Sequence, residues 1–185
     1  GVDMSYYDRT PEVMVKAEKV RTADTFTFCF VGRLVGDKGI NELVEAFDRL
    51  HREIPATRLL LVGPYENALD PLKPQTDERI RKGDGIEAVG SQNDPRPFYA
   101  ASDALAFPSY REGMPNVVLE AGALGLPSIV TDINGSCEII REGYNGVIIP
   151  PRDAEALYQA MHAEPLPSAS PPMPARTSPT AMSSR

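Results

Sequence analysis

The sequence predicts an α/β domain built on a Rossmann-like, doubly wound parallel sheet. Three observations predict it. Short β-rich runs that are apolar without interruption recur along the chain. Segments with apolar residues at helical spacing separate those runs. The 185 residues, 42% hydrophobic and 24% charged, suit one globular domain. Strands that are apolar at successive residues need cover on both faces, and helices on both faces of a parallel sheet supply it. Regular strand–helix alternation then gives the class.

Residues 1–24, GVDMSYYDRTPEVMVKAEKVRTAD, are polar and irregular and read as an interdomain linker. The foldable unit spans 25–162. FTFCFV (Phe26–Val31), closed by Gly32, reads as a buried strand. After Gly39, the residues Ile40, Leu43, Val44, Phe47 and Leu50 fall on one helical face, with Asn41, Glu42, Glu45 and Asp48 on the other. Arg58–Gly63 is a second strand, and a long polar loop leads to a short helix near Asp77–Lys82. Ile86–Val89 and Ala104–Phe107 are strands separated by a helix near Pro95–Ala101. A helix over Pro115–Leu124, a strand over Pro127–Val130, a short helix over Cys137–Arg141, a strand over Val147–Ile149 and a helix over Asp153–Met161 complete the unit. Residues 163–185 hold six Pro, five Ser, four Ala and two Thr, with no apolar periodicity. Such a composition buries too little surface to offset its ordering entropy, so this tail is expected to be disordered.

Charge and residue types narrow the function. The formal charge is −7, from 19 basic and 26 acidic residues, which repels nucleic-acid backbones and anionic lipid. No apolar run reaches the roughly 18 residues of a membrane helix, and no signal peptide opens the chain. The first residue is Gly and not Met, so a fragment is expected. Two cysteines, Cys29 and Cys137, form neither a disulfide framework nor a zinc site; both read as buried free thiols of a reducing cytoplasm. Two histidines, His51 and His162, leave little material for histidine-based chemistry.

Ligands of open α/β sheets bind outside the C-terminal ends of the strands, and two loops there carry chemistry. The first is Gly32-Arg33-Leu34-Val35-Gly36-Asp37-Lys38-Gly39, just ahead of a helix. Two cations beside a helix N-terminus make an anion site, whereas a solvated surface turn is the plain alternative. The loop is neither a Walker A motif nor a Gly-x-Gly-x-x-Gly fingerprint. The second runs from Pro108 through Glu112, Gly113, Met114, Pro115, Asn116 and Val117 to Glu120. Glu120 lies in an apolar helical stretch, where an ionised carboxylate needs hydrogen-bond donors. A sugar diol would serve, and so would backbone amides of the core. Glu112, at the loop mouth, could reach a second polyol.

The two glutamates of SYREGMPNVVLEAGALGLPSIVTD, with seven residues between them, resemble the Glu-x7-Glu signature of the retaining glycosyltransferases of family four. VGRLVGDKG resembles that family's phosphate-binding loop, and DINGSCEIIREGYNGVIIPPRDAEAL its C-terminal stretch. Even the opening Gly-Val-Asp is similar to its interdomain link. The resemblance implies one half of a GT-B glycosyltransferase of the polysaccharide-biosynthesis type, the half that holds the nucleotide-sugar donor. It implies that Arg33 and Lys38 grip the donor diphosphate, Glu112 the transferred hexose and Glu120 the ribose diol. Gly32 and the backbone around Gly113, Met114, Asn116 and Val117 would line the same site, and Val89-Gly90-Ser91 would lie beside the base. Arg33, Lys38 and Glu112 are then the catalytic set, with UDP as the leaving group and no metal or other cofactor. Implied partners are the donor, a missing N-terminal acceptor-binding domain and no nucleic acid. The implied location is the cytoplasm, peripheral at the inner membrane face through the missing half. Neither His51 nor His162 fits the family's cleft histidine, so this chain alone is expected to bind donor without transferring it. A non-catalytic nucleotide-sugar-binding module and half of a GT-B epimerase are the alternative readings.

Removing residues from Ala163 onward is expected to move the melting midpoint by a few degrees at most, about 1 kcal/mol for a domain of this size. A calorimetric melt of the truncated chain checks this, and a larger drop would show that the tail docks.

Overall fold

The computed structural model describes residues 3, 5–66 and 68–164. Its elements are α1 (Pro11–Val20), β1 (Phe26–Val31), α2 (Ile40–Glu53), β2 (Thr57–Val62), α3 (Pro74–Lys82), β3 (Ile86–Gly90), α4 (Arg96–Ala100), β4 (Ala104–Phe107), α5 (Asn116–Ala123), β5 (Ser128–Thr131), α6 (Ser136–Ile139), β6 (Gly146–Ile149) and α7 (Ala154–Ala163). The strands form one six-stranded sheet in the order β3-β2-β1-β4-β5-β6, and every pairing is parallel. The expected doubly wound α/β class is therefore the observed one, with boundaries shifted by a residue or two at several ends.

Burial explains the continuous apolar strands. Phe28, Cys29 and Phe30 on β1, Leu59, Leu60 and Leu61 on β2, and Leu105 and Ala106 on β4 are all fully buried, although successive side chains point to opposite faces. Both faces are therefore covered. Helix α2 packs on α3 and α7, while α5 packs on α6 and α1 on α4. Along α2 the residues Ile40, Leu43, Val44, Phe47 and Leu50 are buried and Glu45 is exposed, as its spacing requires.

The leading segment departs from expectation. Within 1–24, read as irregular linker, residues 11–20 form α1. Thr10 caps the helix by accepting from the Val13 N–H, Pro11 occupies its first turn, and Val13 and Ala17 bury against Ala100 and Ala101. Two small apolar residues one turn apart are a faint pattern, which is why a polar stretch concealed a packed helix. At the other end α7 continues to Ala163, beyond the boundary at 162; the rest of the tail, 165–185, lies outside the described residues. The cysteines also divide. Cys29 is buried, but Cys137 is exposed, because it sits on the outer side of the short helix α6 with its Sγ 3.0 Å from Asp132 Oδ1.

The strand order reverses between β1 and β4, which pair at Phe28–Ala104 and Cys29–Leu105. There the loops that leave these two strands meet. Gly39, at the start of α2, has φ +76°, and a Cβ on it would lie 2.1 Å from the Pro108 carbonyl oxygen. Only glycine combines that conformation with that approach.

Gly39→Ala is expected to cost about 2 kcal/mol or more, because left-handed strain adds to a backbone clash. A drop of about 5 °C or more in melting midpoint would report it. Thiol titration tests the placement of the cysteines. Burial pushes the Cys29 thiol up to about 12, whereas Cys137 is accessible though raised by its bond to Asp132. One thiol should therefore react in the native chain at mildly alkaline pH and two in denaturant.

Candidate functional site

The loop after β1 is fixed by its own apolar residue and by neighbours. Leu34 is fully buried, and its N–H donates to the Pro64 carbonyl at 2.8 Å. That anchors the turn while leaving the neighbouring Arg33 about half exposed, its Nη1 2.9 Å from Glu66 Oε2. Asp70, from the loop after β2, grips the next residues. Its carbonyl accepts from the Gly36 N–H at 3.1 Å, and its Oδ2 accepts from the Asp37 N–H at 2.6 Å. Residues 36–38 form a single 3-10 turn that delivers Lys38 inward.

The loop after β4 is tied to this one and to β5. The Tyr110 N–H donates to the Asp37 carbonyl at 2.8 Å, and the Thr131 hydroxyl donates to the Ser109 carbonyl. Ser109 is fully buried, and its hydroxyl lies 3.0 Å from Glu112 Oε1. Tyr110 bonds Glu42 on α2; burial, and then that carboxylate, hold its phenol well above the ordinary value. Three elements thus fix the backbone on which Glu112 stands.

Between the loops lies a cleft of about 320 Å³. Gly32, Arg33 and Lys38 line it from the first loop, and Glu112, Met114, Asn116 and Val117 from the second. At its centre Lys38 Nζ pairs with Glu112 Oε1, each side chain only 17% exposed, while the ammonium stands 5.8 Å from the centroid of the Phe107 ring. In a pair so withdrawn from water desolvation offsets much of the attraction, but either partner left alone would be costly. Helix α5 starts at Asn116 with no side-chain cap, so its first amides and the positive end of its dipole face the cleft. Two cations, the first amides of the helix and a carboxylate have the chemistry that a phosphate joined to a polyol would need.

Four of the sequence-predicted residues do not line this cleft. Val89 and Gly90 end β3, two strands away from β1; the residue after them, Ser91, borders a larger cavity of about 470 Å³ with Lys16, Lys19 and Asp94. Neither of the two loops reaches that cavity, and the buried Lys38–Glu112 pair lies in the smaller one. Gly113 is exposed on the second loop. Glu120 sits farther along α5, half-buried, and its Oε2 accepts a 2.7 Å hydrogen bond from the Tyr99 hydroxyl. Among the described residues its hydrogen bond comes from this fully buried phenol and not from an amide of the core. Glu66, Asp70, Ser109 and Tyr99 escape sequence reasoning, because each acts through a contact between segments that no local pattern links. Among the described residues, no group of three or more His, Cys, Asp and Glu is placed to hold a metal ion, and no helix is long and apolar enough to cross a membrane.

Comparison with known proteins places this arrangement. The sequence pattern of the family described as Glycosyl transferases group 1 matches residues 25–163, which include both loops. The capsular polysaccharide biosynthesis glycosyltransferase CapM of Staphylococcus aureus is 32% identical over 137 residues, covering 72% of this chain and 35% of CapM. The crystal structure of Anabaena Alr3699/HepE in complex with UDP and glucose superposes with a TM-score of 0.77 at 22% identity, over 88% of this chain and 45% of that one. The C-terminal domain of the group 1 family protein LpcC from Francisella tularensis gives 0.76 at 21% identity, over 88% of this chain and 87% of that domain. This chain thus spans about a third of the length of its curated relative, and its fold is that of the C-terminal half of a GT-B enzyme. With the family pattern covering the sheet and both loops, the chain belongs to the group 1 glycosyl transferases.

Proposed function

We propose that this chain is the donor-binding half of a retaining glycosyltransferase that moves a hexose from UDP to a glycan or lipid-linked acceptor. The observation that carries the reading is the convergence of Arg33, Lys38, the uncapped start of α5 and Glu112 on one cleft. HepE, whose fold the chain shares, is described in complex with UDP and glucose, which favours UDP over other nucleotides.

In this reading Lys38 and Arg33 take the two phosphates, exchanging their present partners Glu112 and Glu66 for phosphate oxygens. Glu112, released, accepts from hydroxyls of the transferred hexose. Glu120 accepts from the ribose diol, Val89-Gly90-Ser91 border the base, and the amides of Gly113, Met114, Asn116 and Val117 lie along the diphosphate and sugar. Pro115 has no N–H to give. As the bond from the anomeric carbon to the diphosphate breaks, negative charge grows on the leaving UDP. With their partners exchanged, Lys38, Arg33 and the α5 dipole face that charge and stabilise the transition state without a metal ion. Glu112 is a sugar clamp and not a nucleophile. The acceptor and the remaining groups near the anomeric carbon come from a second, N-terminal domain, so this chain alone binds donor and transfers little or nothing.

Calorimetry with UDP, with and without a chelator, is expected to show metal-independent binding. Binding only with Mg²⁺ or Mn²⁺, or no heat with UDP, GDP or ADP, would overturn the reading. Glu120→Gln should weaken UDP itself by about 1.5–3 kcal/mol, the worth of hydrogen bonds to a charged group. Glu112→Gln should leave UDP nearly unchanged and weaken only UDP-hexose. Equal losses of UDP affinity in both variants would defeat this division of roles.

A further inference from the structure

Lys38 and Ser109 hold Glu112 in different ways. The Lys38 ammonium and the Ser109 hydroxyl both bond its Oε1, the hydroxyl at 3.0 Å. Lys38 ends a flexible four-carbon stem, and in the proposed reading it turns away to phosphate. Ser109 cannot turn away. It is fully buried, so bulk water does not compete for its proton. The same hydroxyl lies 3.1 Å from the Arg111 carbonyl and 3.4 Å from the Asp37 carbonyl. It has one proton for these three acceptors, and the carboxylate oxygen is both the nearest and the charged one.

The backbone around Ser109 is fixed residue by residue. The Pro108 carbonyl packs against Gly39, where a Cβ would come within 2.1 Å of it. The Ser109 carbonyl accepts from the hydroxyl of Thr131, which is buried at the end of β5. The Tyr110 N–H donates to the Asp37 carbonyl at 2.8 Å. Three successive residues are thus held by three different segments, and the Ser109 hydroxyl keeps its place whichever way Lys38 points. A glutamate released by a lysine and held by nothing else would spread over several rotamers, which costs affinity when a ligand needs one of them.

We propose that Ser109 is a positioning residue for Glu112: its hydroxyl keeps Oε1 when Lys38 leaves for phosphate, and so leaves Oε2 to accept from the hexose. This rests on the reading of Glu112 as the hexose clamp. A ligand without hexose should then ignore the Ser109 hydroxyl, while one that carries a hexose should sense it.

The test titrates the full 185-residue chain with UDP, UDP-glucose and UDP-galactose, as wild type, Ser109→Ala, Glu112→Ala and the double variant. The quantity read is the ratio of UDP-hexose affinity to UDP affinity, taken for the hexose that wild type binds more tightly. In Ser109→Ala that ratio is expected to fall about three- to tenfold, with UDP affinity unchanged. The double variant should fall no further than Glu112→Ala, because the hydroxyl acts through that carboxylate. A merely structural role would weaken both ligands together. An unchanged ratio, equal losses of UDP and UDP-hexose, or fully additive losses in the double variant would overturn the inference. If Glu112→Ala leaves the ratio intact, the hexose-clamp reading falls and the role of Ser109 with it. If Glu112→Ala lowers the ratio and Ser109→Ala does not, the role of Ser109 alone falls. Should Ser109→Ala melt more than a few degrees early, Ser109→Cys, whose thiol is a weaker donor of similar shape, gives the same comparison and should lower the ratio with UDP affinity kept.

Discussion

The meeting of two backbones, Gly39 against the Pro108 carbonyl, is the constraint from which the rest of the site follows. It lets the loop after β1 and the loop after β4 close on each other, and the hydrogen bond from the Tyr110 N–H to the Asp37 carbonyl continues the contact. With the loops zipped, Lys38 and Glu112 become partners although 74 positions apart. The reversal of strand order between β1 and β4 supplies the crevice. Neither loop alone could enclose a ligand.

Electrostatically the cleft is an exception on an acidic molecule. A chain of net charge −7 would repel a diphosphate at long range, so attraction has to be local. Burial around Lys38 lowers the effective dielectric, and the uncapped amides of α5 add partial positive charge that needs no counterion. The neighbouring carboxylates Glu112 and Glu66 keep the two cations paired until something more anionic arrives. The acidic surface therefore discourages long polyanions, and in the proposed reading the cleft takes a short one.

Much of this was legible in the sequence, and the reason is physical. The strands betray themselves because burial on both faces forces uninterrupted apolar runs, as in Phe26–Val31 and Ala104–Phe107. The loops betray themselves because close backbone approach demands glycine beside charge, as around Gly36, Lys38 and Gly39. What stayed hidden depends on contacts between distant segments. Helix α1 buries only Val13 and Ala17, too few to mark a periodicity. Tyr99 reads as an ordinary core aromatic until α4 and α5 are packed together and its hydroxyl meets Glu120. Cys137 looks like a buried thiol beside Ile139 and Ile140, yet α6 is one short turn, and the thiol falls on its outer side.

The central pairing of β1 with β4 also bears on how the molecule comes together. Phe28 meets Ala104 only after two other strands, β2 and β3, have been laid down, so the two halves of the sheet, β1–β3 and β4–β6, each close shorter loops than the pairing that joins them. Non-local parallel pairing of this kind is slow. The crevice lies along that pairing, and any ligand that bridges it binds only the joined form. By mass action, a ligand present at a hundred times its dissociation constant adds about 2.7 kcal/mol to the folded state. A ligand that bridges the crevice would thus stabilise the chain at the contact between the two halves of its sheet.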